Sequence, residues 1–237
     1  MYGMIRWTEQ QKKGVALETV TVLRQPFLCA DILWGGRTPR QVIRRRVSAA
    51  GKRLHRQGVT QVVLPEGFPF AAELERWGVA PVSTLSLRRE IAARWVRSEL
   101  ARQGRPIAAS CIAVTAERLD GEVVRTVTEL AMRHRYLLVC LPRGGEELAR
   151  RLRREYGVSL RLNVGREELE NAAAVVAFAP SEALRVPLTL RLYDQTQPLP
   201  RLTLPPNQEE ELPAGTDRGQ LLAALRRSGA VKQVEVE

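Results

Sequence analysis

The stretch Tyr136-Leu137-Leu138-Val139-Cys140-Leu141-Pro142-Arg143-Gly144-Gly145-Glu146-Glu147-Leu148-Ala149-Arg150-Arg151-Leu152 decides the fold class. Its first six residues are almost free of polar groups, as a strand buried on both faces requires. A proline and two glycines then turn the chain. Leu148 and Leu152 recur four residues apart among charged neighbours, the spacing of a helix with one buried stripe. The same rhythm runs outward on both sides. Upstream, residues 107–115 predict a strand and 121–133 a helix. Downstream, 146–156 predict a helix ended by Gly157, 158–162 a strand, 166–171 a short helix and 173–179 a strand. Near-continuous apolar strands alternating with amphipathic helices imply a parallel sheet with helices on both faces.

The first half reads less regularly. Residues 15–23 and 27–33 are β-rich runs split by Pro26, and Gly35-Gly36 then breaks the chain. Thr38 is placed to cap a helix with Pro39 at its first position. Ile43, Val47, Ala50 and Leu54 share one face of that helix, Gly58 ends it, and 59–64 form a further strand candidate. Residues 27–64 therefore predict a βαβ unit. A short helix is expected at 70–77. A longer one at 86–103 has apolar residues over a wide arc, the pattern of a helix buried on more than one side. Gly104-Arg105-Pro106 reads as a boundary. The expected organisation is an α/β protein of two domains: a basic one at 1–104, and a Rossmann-like one at 105–237. Residues 195–215, with five prolines and Glu209-Glu210-Glu211, read as a long loop or a mobile segment. A capped helix is expected at 217–227 and an edge strand at 231–236.

Composition bounds the function. Of 237 residues, 44% are hydrophobic and 27% charged, which excludes wholesale disorder. No apolar run reaches the ~18–20 residues of a membrane span, and residues 1–13 lack the apolar core of a signal peptide, so no membrane partner is expected. Cys29, Cys111 and Cys140 are odd in number, lie in apolar runs and have no metal-ligand spacing. They read as reduced core thiols in a cytoplasmic protein with no metal site. Residues 1–110 hold 19 Lys or Arg against 8 acids, and residues 111–237 hold 18 against 18, so the net +11 is confined to the first half. That asymmetry can mark an anionic partner. Arginine outnumbers lysine 33 to 4, a bias that a G+C-rich genome also produces.

Residues 107–180, under a third of the chain, resemble the NAD(P)-binding domain of the shikimate dehydrogenase and amino-acid dehydrogenase-like group. The resemblance rests on the turn at Pro142-Arg143-Gly144-Gly145 and its Glu-rich helix. It also rests on Arg166-Glu167-Glu168-Leu169 and on the apolar strand that ends in Ala179-Pro180. It implies a Rossmann fold, NADP as the cofactor to consider, and Arg143 at the place where NADP-preferring relatives carry an arginine for the 2′-phosphate, a task that suits a forked guanidinium. The ligand would then lie at the carboxyl ends of the strands, against Thr115, Arg143 with Gly144 and Gly145, and Pro180.

The chain departs from that group at the first turn. A dinucleotide site needs glycines there, so that backbone and helix N-terminus can approach the diphosphate. Residues 115–121 offer only Gly121, and they carry Glu117 and Asp120 where phosphates would rest. Asp120 is better read as a helix cap. None of the four lysines stands in the setting of the group's catalytic lysine, and His55 and His134 read as surface residues. No Gly-x-Ser-x-Gly or phosphate-binding loop is present.

A separate feature is the basic helix, with Arg40, Arg44, Arg45, Lys52 and Arg56 on its polar side as an anion- or nucleic-acid-binding set. No recognition fold accompanies it, and aromatics are 5% of the chain. The sequence therefore points first to a non-catalytic binding or regulatory protein on a degenerate Rossmann-like scaffold, its partner a small anionic ligand or another protein. The alternatives are an NAD(P)-dependent oxidoreductase with an atypical phosphate loop and an arginine-rich nucleic-acid or phosphate-binding protein.

Overall fold

A computed structural model describes residues 1–9, 14–35, 37–180 and 184–237. The described chain is mixed α/β and divides into two compact units. One holds Met1–Thr84 with Thr203–Val234, the other Leu85–Leu202 with Glu235–Glu237. Gly104, the expected boundary, lies inside the second unit, just past its first helix.

In the first unit the chain runs β1 (Tyr2–Thr8), β2 (Val15–Val22), β3 (Gln25–Leu33), α1 (Arg40–Arg56), β4 (Gln61–Val63), α2 (Ala71–Glu75) and β5 (Ala80–Pro81). The sheet order is β2-β3-β1-β4-β5, antiparallel only between β2 and β3. The predicted βαβ of 27–64 is present as β3, α1 and β4, but β1 lies between its two strands. That central strand escapes sequence reading because Gly3 and Arg6 break its apolar pattern. Both residues have structural reasons. A Cβ on Gly3 would meet Val59 Cγ1 at 2.9 Å, so only glycine fits beneath α1. Arg6 donates two hydrogen bonds to Asp31, its register partner on β3, at 2.8 and 2.9 Å. Ile5, Ala30, Ile32 and Val62 pack against Ile43, Val47, Ala50 and Leu54 of α1. Thr38 does not cap that helix. Its hydroxyl accepts from the Gly35 N–H at 3.1 Å, and Pro39 stands at the cap position without a side-chain bond. Pro39 has no N–H to lose, so the turn uses the hydroxyl instead.

The second unit runs α3 (Leu85–Arg102), β6 (Ile112–Thr115), α4 (Gly121–Ala131), β7 (Leu137–Cys140), α5 (Gly145–Tyr156), β8 (Arg161–Leu162), α6 (Arg166–Glu170), β9 (Ala174–Ala177) and β10 (Thr189–Arg191). Its sheet order is β10-β9-β6-β7-β8 with every pair parallel. Counted from β6, this is the Rossmann order 3-2-1-4-5, and the direction of winding reverses between β6 and β9. The register puts Ala113 and Thr115 on one face with Leu138, Cys140, Val175 and Ala177. Ile112, Val114, Leu137, Val139, Ala174 and Val176 form the other face, on the side of α3 and α4. The two covers differ. One is built from two long helices. The other is the five-residue α6 with Val164, Leu184, Val186 and Tyr193 from irregular segments. Helical cover on both faces, as the sequence suggested, is therefore reduced on one of them to a single short helix.

Residues 195–215, read as a long loop or a mobile segment, are held in place. Buried Arg88 of α3 donates to the carbonyls of Gln195 and Gln197. The Gln197 side chain accepts from the Arg191 N–H at 2.7 Å and donates to the Thr189 carbonyl at 3.0 Å. The segment carries β11 (Leu202–Thr203) and α7 (Pro206–Glu209), and Leu202 and Leu204 are buried. Prolines there limit the chain's freedom and do not set it loose. α8 (Arg218–Ser228) follows, capped by the Asp217 carboxylate, which accepts from the Gln220 N–H at 2.9 Å. The predicted terminal strand shrinks to β12 (Glu235–Val236).

Candidate functional site

The thinly covered face of the second sheet ends in a cavity of about 460 Å³ at the carboxyl ends of β6, β7 and β9. Thr115 and Ala116 line it from β6, and Cys140, Leu141 and Pro142 from β7. Asn163 enters after β8, Arg166 and Leu169 from α6, and Ala179, Pro180 and Leu184 after β9. The lining is mostly apolar, with Glu117 as its acidic member. Thr115 is 9% exposed, and its hydroxyl is buried without a hydrogen-bond partner, although its carbonyl accepts from the Phe178 N–H at 2.9 Å. A buried hydroxyl left unpaired costs about 1–3 kcal/mol. The Asn163 side chain is committed elsewhere, accepting from the Leu141 N–H at 2.9 Å.

The turn from β6 to α4 tests the dinucleotide reading directly. Asp120 caps α4, and its Oδ1 accepts from the Glu122 N–H at 3.0 Å and the Val123 N–H at 2.9 Å. Those N–H groups are the ones a diphosphate would use at a helix N-terminus. A carboxylate already holds them, and Glu122 adds a second negative charge to the first turn. The residues present do not fit a diphosphate in the usual Rossmann seat.

Of the residues expected to bind a cofactor, Thr115 and Pro180 line the cavity, whereas Arg143, Gly144 and Gly145 are not among its lining residues. Arg143 is exposed in the turn. Gly144 adopts a left-handed φ of 81°, and a Cβ on it would meet Leu119 Cδ2 at 3.0 Å. Gly145 is buried as the first residue of α5. Both glycines thus have a packing reason to be there.

The basic helix divides into tied and untied cations. Arg44 donates to Glu73 through Nε at 2.8 Å and holds that carboxylate below its ordinary range. Arg46 and Arg53, also on α1, donate to the carbonyls of Leu33 and Val15. Arg40 lies over the Phe70 ring at 5.8 Å and Lys52 over Trp77 at 5.3 Å. Arg45 and Arg56 are exposed, as is His55.

His134 corrects the sequence reading. It is 3% exposed, not a surface residue. Burial holds its pKa below the ordinary histidine value. Among the cysteines, Cys29 is fully buried and its thiol is pushed up to about 12 by burial, while Cys111 and Cys140 are half-buried. Among the described residues no cluster of His, Cys, Asp and Glu could hold a metal ion, and no helix is long and apolar enough to cross a membrane.

Sequence reading missed one grouping. Trp7, Trp34 and the pair Phe68 and Phe70 come from three separate stretches but converge at the carboxyl edge of the first sheet. Trp7 lies 5.2 Å from Trp34 and stacks on Phe68 at 5.2 Å, and Phe68 meets Phe70 edge-on at 6.0 Å. A low aromatic content conceals the cluster, because only the β1–β3 pairing brings Trp7 and Trp34 together.

No known family's sequence profile matches the chain, and no curated protein matches it. Among solved structures, it is similar to L-tryptophan dehydrogenase from Nostoc punctiforme, with 12% identity over 69% of this chain and a TM-score of 0.31. It is also similar to hetero-hexameric glutamate dehydrogenase from Thermus thermophilus in its leucine-bound form, with 14% identity over 80% of this chain and a TM-score of 0.31. The chain spans 50% and 58% of the lengths of those two proteins.

Proposed function

We propose that this is a ligand-binding protein, regulatory and not catalytic, whose second unit takes a small molecule with an apolar body at the carboxyl ends of β6, β7 and β9. The 460 Å³ cavity with mostly apolar walls at the strand ends carries this reading. Cavities of ~300–1,000 Å³ with apolar walls and few polar groups are the usual form of small-molecule sites, and this one lies where an open parallel sheet binds ligands. In the bound state Leu141, Leu169 and Leu184 cover the apolar body. Dinucleotide chemistry has little support, since Asp120 holds the N–H groups of α4 and Arg143 stands apart from the cavity.

Thermal unfolding measured with adenosine, NADP and a series of straight-chain carboxylates tests this. A probe at about 100 times its Kd raises stability by ~2.7 kcal/mol. A shift with adenosine or a carboxylate that disappears in Leu169→Arg, which fills the cavity, supports the proposal. A shift with NADP that is lost in Arg143→Ala, together with hydride transfer, would replace it with the oxidoreductase reading. Shifts that ignore Leu169→Arg would remove the cavity from the argument.

A further inference from the structure

The first unit carries a surface that neither the cavity nor the Rossmann likeness explains. We propose that single-stranded nucleic acid docks on the first unit, with a base stacked on Trp34 and its phosphates held along the α1 stripe of Arg37, Arg45, Lys52 and Arg56.

Trp34 is 44% exposed, one of the few large apolar side chains that are. Its backbone is fixed, for its N–H donates to the Thr8 carbonyl at 2.9 Å, and its ring is backed by Trp7 at 5.2 Å. A ring held at the surface by a second ring offers an open π-face to whatever stacks on it. The Thr38 N–H closes a tight turn onto the Gly35 carbonyl at 2.8 Å, which keeps Arg37 close to that ring. From there Arg45, Lys52 and Arg56 recur at spacings of seven and four, so they share one face of α1, and all are exposed. At 1.5 Å per residue the last three span ~16 Å. No acidic residue occurs between Asp31 and Glu66. The nearest buried carboxylate, Glu73, is neutralised by Arg44 and Arg76 on the neighbouring face. A cationic track that starts at an exposed aromatic ring is the combination that binds an unpaired strand. A duplex cannot use it, because its bases are already stacked on one another. A peptide of acidic residues could use the track but would leave the tryptophan idle.

The test is fluorescence anisotropy of the full chain with a labelled thymidine 20-mer. Four phosphate contacts on a single strand give a salt slope near −0.7 per contact, so affinity should fall about 50-fold between 50 and 200 mM salt. Trp34→Ala should weaken binding by at least about five-fold at either salt, the low end of the loss of one stacked base. Arg45→Gln with Arg56→Gln should reduce the salt slope by about 1.4. Three controls decide the identity of the partner. Tighter binding of the matching duplex, equal binding of heparin with no effect of Trp34→Ala, or binding only to anionic lipid vesicles would each overturn the proposal. So would the absence of binding at 50 mM salt. All three substituted residues are exposed, and unchanged far-ultraviolet circular dichroism will separate lost binding from lost structure.

Discussion

The two sheets present their carboxyl edges in opposite ways. On the first, the edge is filled: Trp7, Phe68 and Phe70 pack together, and one ring, Trp34, is left at the surface beside a basic helix. On the second, the edge is hollow, with a cavity of about 460 Å³ beside the five-residue α6. The same open α/β plan thus yields a convex, charged surface in one unit and a concave, apolar one in the other. Binding potential in such sheets is decided by what covers the strand ends, not by strand order.

The largest expected effect addresses the hollow edge. Gly144→Val adds a side chain at a left-handed φ and against Leu119, and should destabilise the protein by about 2–4 kcal/mol in chemical denaturation. Unchanged stability with weakened ligand binding would make that glycine part of a binding loop and blur the contrast between the edges. Asp120→Ala should cost about 1 kcal/mol as a lost helix cap. It should also free the Glu122 and Val123 N–H groups, so that inorganic phosphate begins to raise the melting temperature, which it should not do for the parent protein.

His134 gives a pH signature. Its folded pKa is lowered by burial, so the unfolded chain binds the proton more readily. Stability is then complete above about pH 6.5 and falls as pH drops below that value, by at most about 1.4 kcal/mol per pH unit for one proton. The difference between the parent and His134→Gln, followed by urea denaturation from pH 7.5 to 5, should show that fall only in the parent. The smallest effects separate the edges most sharply. Trp34→Ala should change stability by no more than about 0.5 kcal/mol, whereas Thr115→Val should be neutral or stabilising by up to about 1 kcal/mol, since it removes an unpaired buried hydroxyl.

Much of the second unit was legible in the sequence, because its strands are apolar throughout and its helices carry a clean stripe. The strand–helix alternation, the Asp120 cap and the positions of Thr115 and Pro180 at the strand ends follow from that pattern. The first unit was harder. Its central strand contains a glycine chosen for close approach and an arginine chosen for a cross-strand pair, and neither choice leaves a periodic trace. The aromatic cluster and the buried His134 depend on tertiary contacts between distant residues. The cavity was invisible for a different reason: its wall is assembled from the ends of three strands, α6 and irregular segments that sequence periodicity does not bring together.

The return of residues 203–234 to the first unit bears on how the protein is made. The buried leucines of α8 and the bond from the Leu64 N–H to Gln220 Oε1, 156 residues apart, mean that the first sheet is finished by a segment made long after its strands. At a ribosomal rate of ~5–20 residues per second, the apolar strands made first wait roughly 6–24 s for their remaining cover. Over that interval the nascent chain exposes apolar surface that a ribosome-associated chaperone can shield.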